Sequence, residues 1–119
     1  MIIIIDDNKD LAYITGELLK VSGYETTVID NGEEGVKKAK ELDPKVILCD
    51  IGMDGMNGYD VARYIRKDDD LKDIYLIAIS GYSSEEDRKE SERAGFDVHL
   101  GKPIDMEELK EVLEEVYND

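Results

Sequence analysis

Five polar side chains follow short apolar runs, and together they could hold a divalent cation and a phosphoryl group. Ile2-Ile3-Ile4-Ile5 ends at Asp6 and Asp7, and Val46-Ile47-Leu48-Cys49 ends at Asp50. Ile74-Tyr75-Leu76-Ile77-Ala78-Ile79 ends at Ser80, and Asp97-Val98-His99-Leu100 leads into Gly101-Lys102-Pro103. Three converging acids repel one another unless a cation enters, and hard oxygen donors that keep some water suit Mg²⁺. A carboxylate is also a nucleophile toward phosphorus and gives an aspartyl-phosphate. Because the transferring group spreads its charge over equatorial oxygens, catalysis is mostly positioning and neutralisation. Asp50 is thus the candidate nucleophile, with Lys102 and Ser80 as candidate partners of the phosphoryl oxygens. Asp6, Asp7 and Asp50 are the candidate metal ligands. An acidic pair can also serve as a helix cap, through Asp7 or the neighbouring Asn8, but capping needs only one acid.

Continuous apolar runs of this length between polar stretches predict buried parallel strands. In an open α/β sheet, ligands bind at the carboxyl ends of the strands. Each run therefore delivers its polar residue to one edge. The segments between runs carry helical spacing. Leu11, Ile14, Leu18 and Val21 form one stripe, with Gly23 as a stop. Val36, Ala39 and Leu42 form a second, preceded by Asn31 and Glu34 as a capping box. Val61, Ala62 and Ile65 mark a third. Leu109, Val112, Leu113 and Val116 mark the last, with Asp105 and Glu108 as its box. Five strand–helix alternations joined by right-handed crossovers predict an α/β fold, a parallel sheet with helices on both faces. Residues 84–93 differ, since Glu85-Glu86-Asp87-Arg88-Lys89-Glu90-Ser91-Glu92-Arg93 offers the sheet no large apolar side chain. Ser83 and Glu86 are placed to cap this helix and Gly95 to end it, leaving Ser91, Ala94 and Phe96 as its anchors. A helix that is polar all round is weakly held. It is either an ordinary exposed helix or one meant to move or bind a partner.

A chain of 119 residues is expected to form a single domain, residues 1–119, with a real core. No apolar stretch approaches the ~20 residues of a membrane span, so no membrane partner is expected. Met1 runs straight into the first strand with no charged lead, so no signal peptide is expected. The lone Cys49 excludes an internal disulfide and fits a reducing, cytoplasmic setting. Net charge is −15, from 30 acids against 15 bases, which argues against a nucleic-acid partner.

The segments IIIIDDN (2–8), CDIGMDGMNG (49–58), IAISGY (77–82) and AGFDVHLGKP (94–103) together resemble the receiver domain of two-component response regulators. The resemblance covers essentially the whole chain, in order and at the family's spacings. It implies a flavodoxin-like, doubly wound (βα)5 fold with a five-stranded parallel sheet of order 2-1-3-4-5. It implies that Asp50 accepts a phosphoryl group from a histidine kinase or phosphotransfer protein in an Mg²⁺-dependent reaction. Asp7, Asp50 and the Gly52 carbonyl would bind the metal directly, and Asp6 through water. Ser80 and Lys102 would bind the phosphoryl oxygens, and the Lys102–Pro103 bond would be cis. Ser80 and His99 would form the switch that reshapes the fourth helix, fifth strand and last helix for a downstream protein or fused domain. The oligomeric state implied is a monomer or a weak phosphorylation-dependent dimer. Such domains catalyse only their own phosphorylation and dephosphorylation and are not otherwise enzymes. Residues 81–103 particularly resemble receivers fused to hybrid histidine kinases.

Three positions depart from the family pattern. Asp54 stands where proline usually follows methionine, which predicts a looser, more acidic loop. His99 replaces the usual tyrosine or phenylalanine of the switch. The first strand has almost no lead-in, as in a chain trimmed from a longer one. His99 lies between Val98 and Leu100 on a strand run, so a switch or packing role is expected rather than that of an exposed phosphodonor histidine. Two other function classes fit less well. Haloacid dehalogenase-type phosphatases usually carry a second acid two residues after the nucleophile, where this chain has Gly52, and they need a cap. A binding-only pseudo-receiver would not need all of Asp6, Asp7, Asp50, Ser80 and Lys102.

Overall fold

The computed structural model describes residues 1–118. Five strands, β1 (Ile2–Ile5), β2 (Thr26–Ile29), β3 (Val46–Asp50), β4 (Tyr75–Ser80) and β5 (Val98–Gly101), alternate with five helices. The helices are α1 (Lys9–Val21), α2 (Gly32–Leu42), α3 (Gly58–Lys67), α4 (Glu85–Ala94) and α5 (Met106–Tyr117). All strand pairings are parallel, in the order β2-β1-β3-β4-β5. This is the flavodoxin-like order that the family resemblance implies.

The apolar runs are continuous because the sheet is covered on both faces. Ile3, Ile5, Ile47, Cys49, Leu76 and Ala78 face one layer with Val36, Ala39, Val61, Ala62 and Ile65 of α2 and α3. Ile2, Ile4, Val46, Leu48, Ile77 and Ile79 face the other, with Leu19 of α1 and Leu109 and Leu113 of α5. Each fully buried isoleucine contributes roughly 1.5–3 kcal/mol. Slipping a strand by one residue would exchange its two side-chain sets between layers, so the register is strongly specified. That register sets Ile5 beside Cys49, Asp50 beside Ile79 and Ser80 beside Gly101. The residues after each strand therefore emerge together.

Helix α1 turns its large apolar stripe away from the sheet. Leu11, Ile14 and Leu18 are exposed, and Val21 is 87% exposed. The packed face is Ala12, Thr15, Gly16 and Leu19. Small residues let the helix lie close to the sheet: a Cβ on Gly16 would stand 3.2 Å from Val28 Cγ2. The larger residues are thereby left on the outer side.

Capping also differs in register. The start of α4 is capped by Ser84 with Asp87, in a full reciprocal box, not by Ser83 with Glu86. Both serines stand three residues before an acid, so local sequence does not separate them. Ser83 is engaged elsewhere, its hydroxyl 3.3 Å from His99 Nε2 and its carbonyl accepting from Arg88 Nε. Asn31 caps α2 through Glu34 N–H, and Asp105 caps α5, but Glu34 and Glu108 do not return the bond. Helix α3 has a full box from Asn57 and Asp60 that the spacing alone did not flag. Gly95 ends α4 in the left-handed region at φ +118°, as expected of glycine there.

Candidate functional site

The carboxyl edge of the sheet gathers the candidate residues because the strands end in step. Asp6 N–H bonds to Ile29 O, which ties the end of β1 to β2. Ile51 N–H bonds to Ile79 O, and Lys102 N–H bonds to Ser80 O at 2.8 Å. The last of these bonds brings Lys102 in beside β4. The Lys102–Pro103 peptide is cis.

Asp50 is only 4% exposed and lies at the centre of the group. Its Oδ1 accepts from Lys102 Nζ at 3.0 Å and from Gly52 N–H at 3.3 Å. Oxygens of Asp6, Asp7 and Asp50 lie within 4.8 Å of one another. Asp6 is buried and accepts the Asn8 N–H at 2.9 Å, while Asp7 is exposed. Asn8, rather than Asp7, caps α1, so both acids are free of that duty. Burial raises the Asp6 carboxyl above its ordinary range, opposed by the Asn8 N–H and reinforced by the Asp50 charge. Three oxygen acids with one lysine between them match the donor chemistry of a hard divalent ion. Gly52 sits in the exposed loop after Asp50 with open space where a side chain would be.

Ser80 is buried at the end of β4, and its hydroxyl oxygen accepts the Tyr82 N–H at 3.0 Å. That leaves the hydroxyl proton available to an incoming oxygen. Cys49 lies under Asp50 with its thiol pushed up by burial and then by Asp50 and Asp6, so it is an inert core residue. Asp54 is exposed in the loop that turns at Gly55, φ +71°. His99 lies on the α4 side of the sheet opposite Ala78. Sequence reasoning missed the side chains around it, namely the hydroxyls of Ser83 and Ser91 and the Arg88 guanidinium. The one available signal was a lone histidine facing a helix that offers serine instead of an apolar residue.

A groove of about 480 Å³ opens beside Asp6 and Lys102, walled by Leu11, Ile14, Leu18, Ile104 and Met106. No helix among the described residues is long and apolar enough to cross a membrane.

The chain is similar to known proteins in sequence and in fold. The chain is 32% identical over 115 residues to Protein PilH of Pseudomonas aeruginosa, covering 97% of this chain and 95% of that one. It is 29% identical over 118 residues to the polar-differentiation response regulator DivK of Brucella anthropi, covering 99% and 96%. The fold superimposes on the chemotaxis protein CheY4 of Vibrio cholerae with a TM-score of 0.90 at 25% identity, covering 97% and 96%. Residues 2–114 match the response regulator receiver domain, and the chain therefore belongs to that family of phosphorelay signalling domains.

Proposed function

We propose that Asp50 accepts a phosphoryl group from a phosphohistidine on a kinase or phosphotransfer protein. A carboxylate oxygen of Asp50 attacks phosphorus, the P–N bond breaks, and the donor imidazole leaves with its electron pair. The observation that carries this reading is the Asp50 carboxylate, almost wholly buried yet open at the sheet edge, held by Lys102 at 3.0 Å between two further acids. Lys102 Nζ neutralises charge on the equatorial oxygens, and the Ser80 hydroxyl donates to another of them. Asp6, Asp7, Asp50 and the Gly52 carbonyl would hold Mg²⁺, which when bound supplies positive charge to the transferring group.

The groove beside Lys102 supports a helical donor. Leu11, Ile14 and Leu18 present apolar side chains at helical spacing next to the nucleophile, a surface suited to the apolar stripe of a helix carrying the phosphohistidine. The output is a change in α4, β5 and α5 that a downstream protein or fused domain reads. The domain works in the cytoplasm as a monomer or weak phosphorylation-dependent dimer.

Acetyl phosphate with Mg²⁺ should add one phosphoryl mass to the intact protein, and Asp50→Asn should abolish it. Labelling that survives this substitution would move the nucleophile elsewhere.

A further inference from the structure

A hydrogen-bonded relay joins Ser80 to helix α4 through the chain's only histidine. Ser80 Oγ accepts the Tyr82 N–H at 3.0 Å, and the carbonyl of the same Tyr82 lies 3.1 Å from His99 Nε2. A carbonyl only accepts, so Nε2 carries the proton. Nδ1 of the neutral ring is then an acceptor, and Ser91 Oγ donates to it at 2.7 Å. Ser83 Oγ, 3.3 Å from Nε2, accepts a share of the same N–H.

The charged neighbours divide by sign. Helix α4 contributes Arg88, Asp87 and Glu92, the approach to β5 contributes Asp97, and α3 contributes the Tyr59 phenol beside Ser91. Arg88 donates to the carbonyls of both His99 and Ser83, which holds its guanidinium close to the ring. Burial lowers the His99 pKa most, Arg88 adds to this, and the Tyr82 carbonyl and Asp87 oppose it.

Resting on the phosphoacceptor reading of Asp50, we propose that His99 is a positioning residue for Ser80, and that its protonation and phosphoryl binding oppose each other. A charged ring grips the Tyr82 carbonyl through a charge-assisted bond, roughly twice as strong as a neutral one. The same peptide holds Ser80, so its hydroxyl is restrained. When Ser80 turns to a phosphoryl oxygen it draws on the Tyr82 peptide, and the ring loses the acceptor that best supports its charge. The Arg88 guanidinium that remains beside the ring favours the neutral form. Coupling between two binding events is reciprocal, so protons weaken phosphoryl binding as phosphoryl binding expels the proton.

The single imidazole allows a direct test by ¹⁵N-resolved NMR titration, with and without Mg²⁺ and beryllofluoride. The expected apo tautomer is Nε2–H. The ring midpoint should fall by about half a pH unit on adduct formation, equivalent to about threefold weaker mimic binding at acid pH than at neutral pH. His99→Phe should remove that threefold component. Ser91→Ala should lower the apo midpoint, because Ser91 Oγ accepts from Nδ1–H of the charged ring in a stronger bond than the one it donates to the neutral ring. An Nδ1–H apo tautomer, an equal midpoint with and without adduct, or unchanged acid weakening in His99→Phe would each overturn the proposal. The wild-type titration needs no variant to fold. If no adduct forms at any pH, the phosphoacceptor reading fails, while the apo tautomer and the Ser91→Ala midpoint still decide the relay.

Discussion

Replacing Asp6 by asparagine should stabilise the metal-free protein at neutral pH, although Asp6 is a candidate ligand. The carboxylate oxygens of Asp6, Asp7 and Asp50 lie within 4.8 Å of one another. Two like charges at that distance cost about 3.5 kcal/mol at an effective dielectric of 20 and about 0.9 kcal/mol in bulk water. Asp7 is exposed, so its pairing with Asp6 lies near the lower figure. Asp50 is buried, but Lys102 at 3.0 Å offsets much of its charge. A net gain of about 1–2 kcal/mol follows for Asp6→Asn, or roughly 4–8 °C in Tm for a domain of this size. Asparagine keeps the oxygen that accepts the Asn8 N–H. Asp50→Asn is a less clean probe, because it relieves repulsion and loses the Lys102 pair together.

The pH dependence has a definite sign. The Asp6 carboxyl is raised above its ordinary value of 3.8 in the folded protein, first by burial. Below that value both states are protonated and the residue costs nothing. As pH rises the unfolded chain ionises first while the folded carboxyl keeps its proton, so stability falls until folded Asp6 ionises as well. Urea unfolding of both proteins should therefore give curves that meet in acid and separate toward neutral pH. Salt near 1 M, with a screening length of ~3 Å, should narrow the gap. Mg²⁺ should reverse the order, since the wild type gains about 2.7 kcal/mol at 100-fold above its Kd and the variant lacks one ligand. A variant less stable than wild type at neutral pH without metal, or a gap unchanged by pH, would refute the reasoning.

Three further outcomes follow from other contacts. A Cβ on Gly58 would stand 2.6 Å from Ile51 Cα and 2.7 Å from Asp50 O, both backbone atoms, so Gly58→Ala should cost about 1–3 kcal/mol in urea unfolding and slow Asp50 labelling. Arg66 donates to the carbonyls of Lys72, Ile74 and Gly95 and to the Asp97 carboxylate, so Arg66→Ala should cost about 2–3 kcal/mol. Arg66→Lys should recover less than half of that, because an ammonium does not reproduce the planar fork. Tyr82 is 78% exposed and two residues past Ser80; Tyr82→Ala should leave stability within about 0.5 kcal/mol of wild type. The same substitution should shorten the aspartyl-phosphate lifetime followed by mass, by admitting water that the ring would exclude.

The strand ends were legible in the sequence because burial on both faces forces an apolar run to stop where the sheet stops. Asp6, Asp7, Asp50, Ser80 and Lys102 each mark such a stop, and parallel order brings them to one edge. Helix faces were less legible. In α1 a small-residue face, Ala12, Thr15, Gly16 and Leu19, outcompetes the larger stripe because close approach to β2 excludes bulk. Spacing records which residues share a face and is silent on which face meets the sheet. The α4 cap was ambiguous for a similar reason. Ser83 and Ser84 are locally equivalent, and the contacts of Ser83 with His99, on β5, and with Arg88, within α4, separate them.

The same contacts bear on how firmly α4 is held. Helix α5 seats Leu109 and Leu113 fully in the core, and displacing it would expose apolar area at roughly 25 cal/mol per Å². Helix α4 buries only Ser91 and Ala94. Its further ties are polar, from Ser91 and Arg88 to His99, from Arg88 to Ser83, and from Arg63 of α3 to Glu90. Each such bond exchanges with water for a net of only about 0.5–1.5 kcal/mol. Two of these ties end on the Ser83–Tyr82 loop or on the His99 ring, and that loop begins at Ser80. A displacement of Ser80 by a fraction of its hydrogen-bond length would therefore bear on a helix that buries only two small residues, through bonds whose rearrangement costs less than exposing the Leu109 and Leu113 seats of α5.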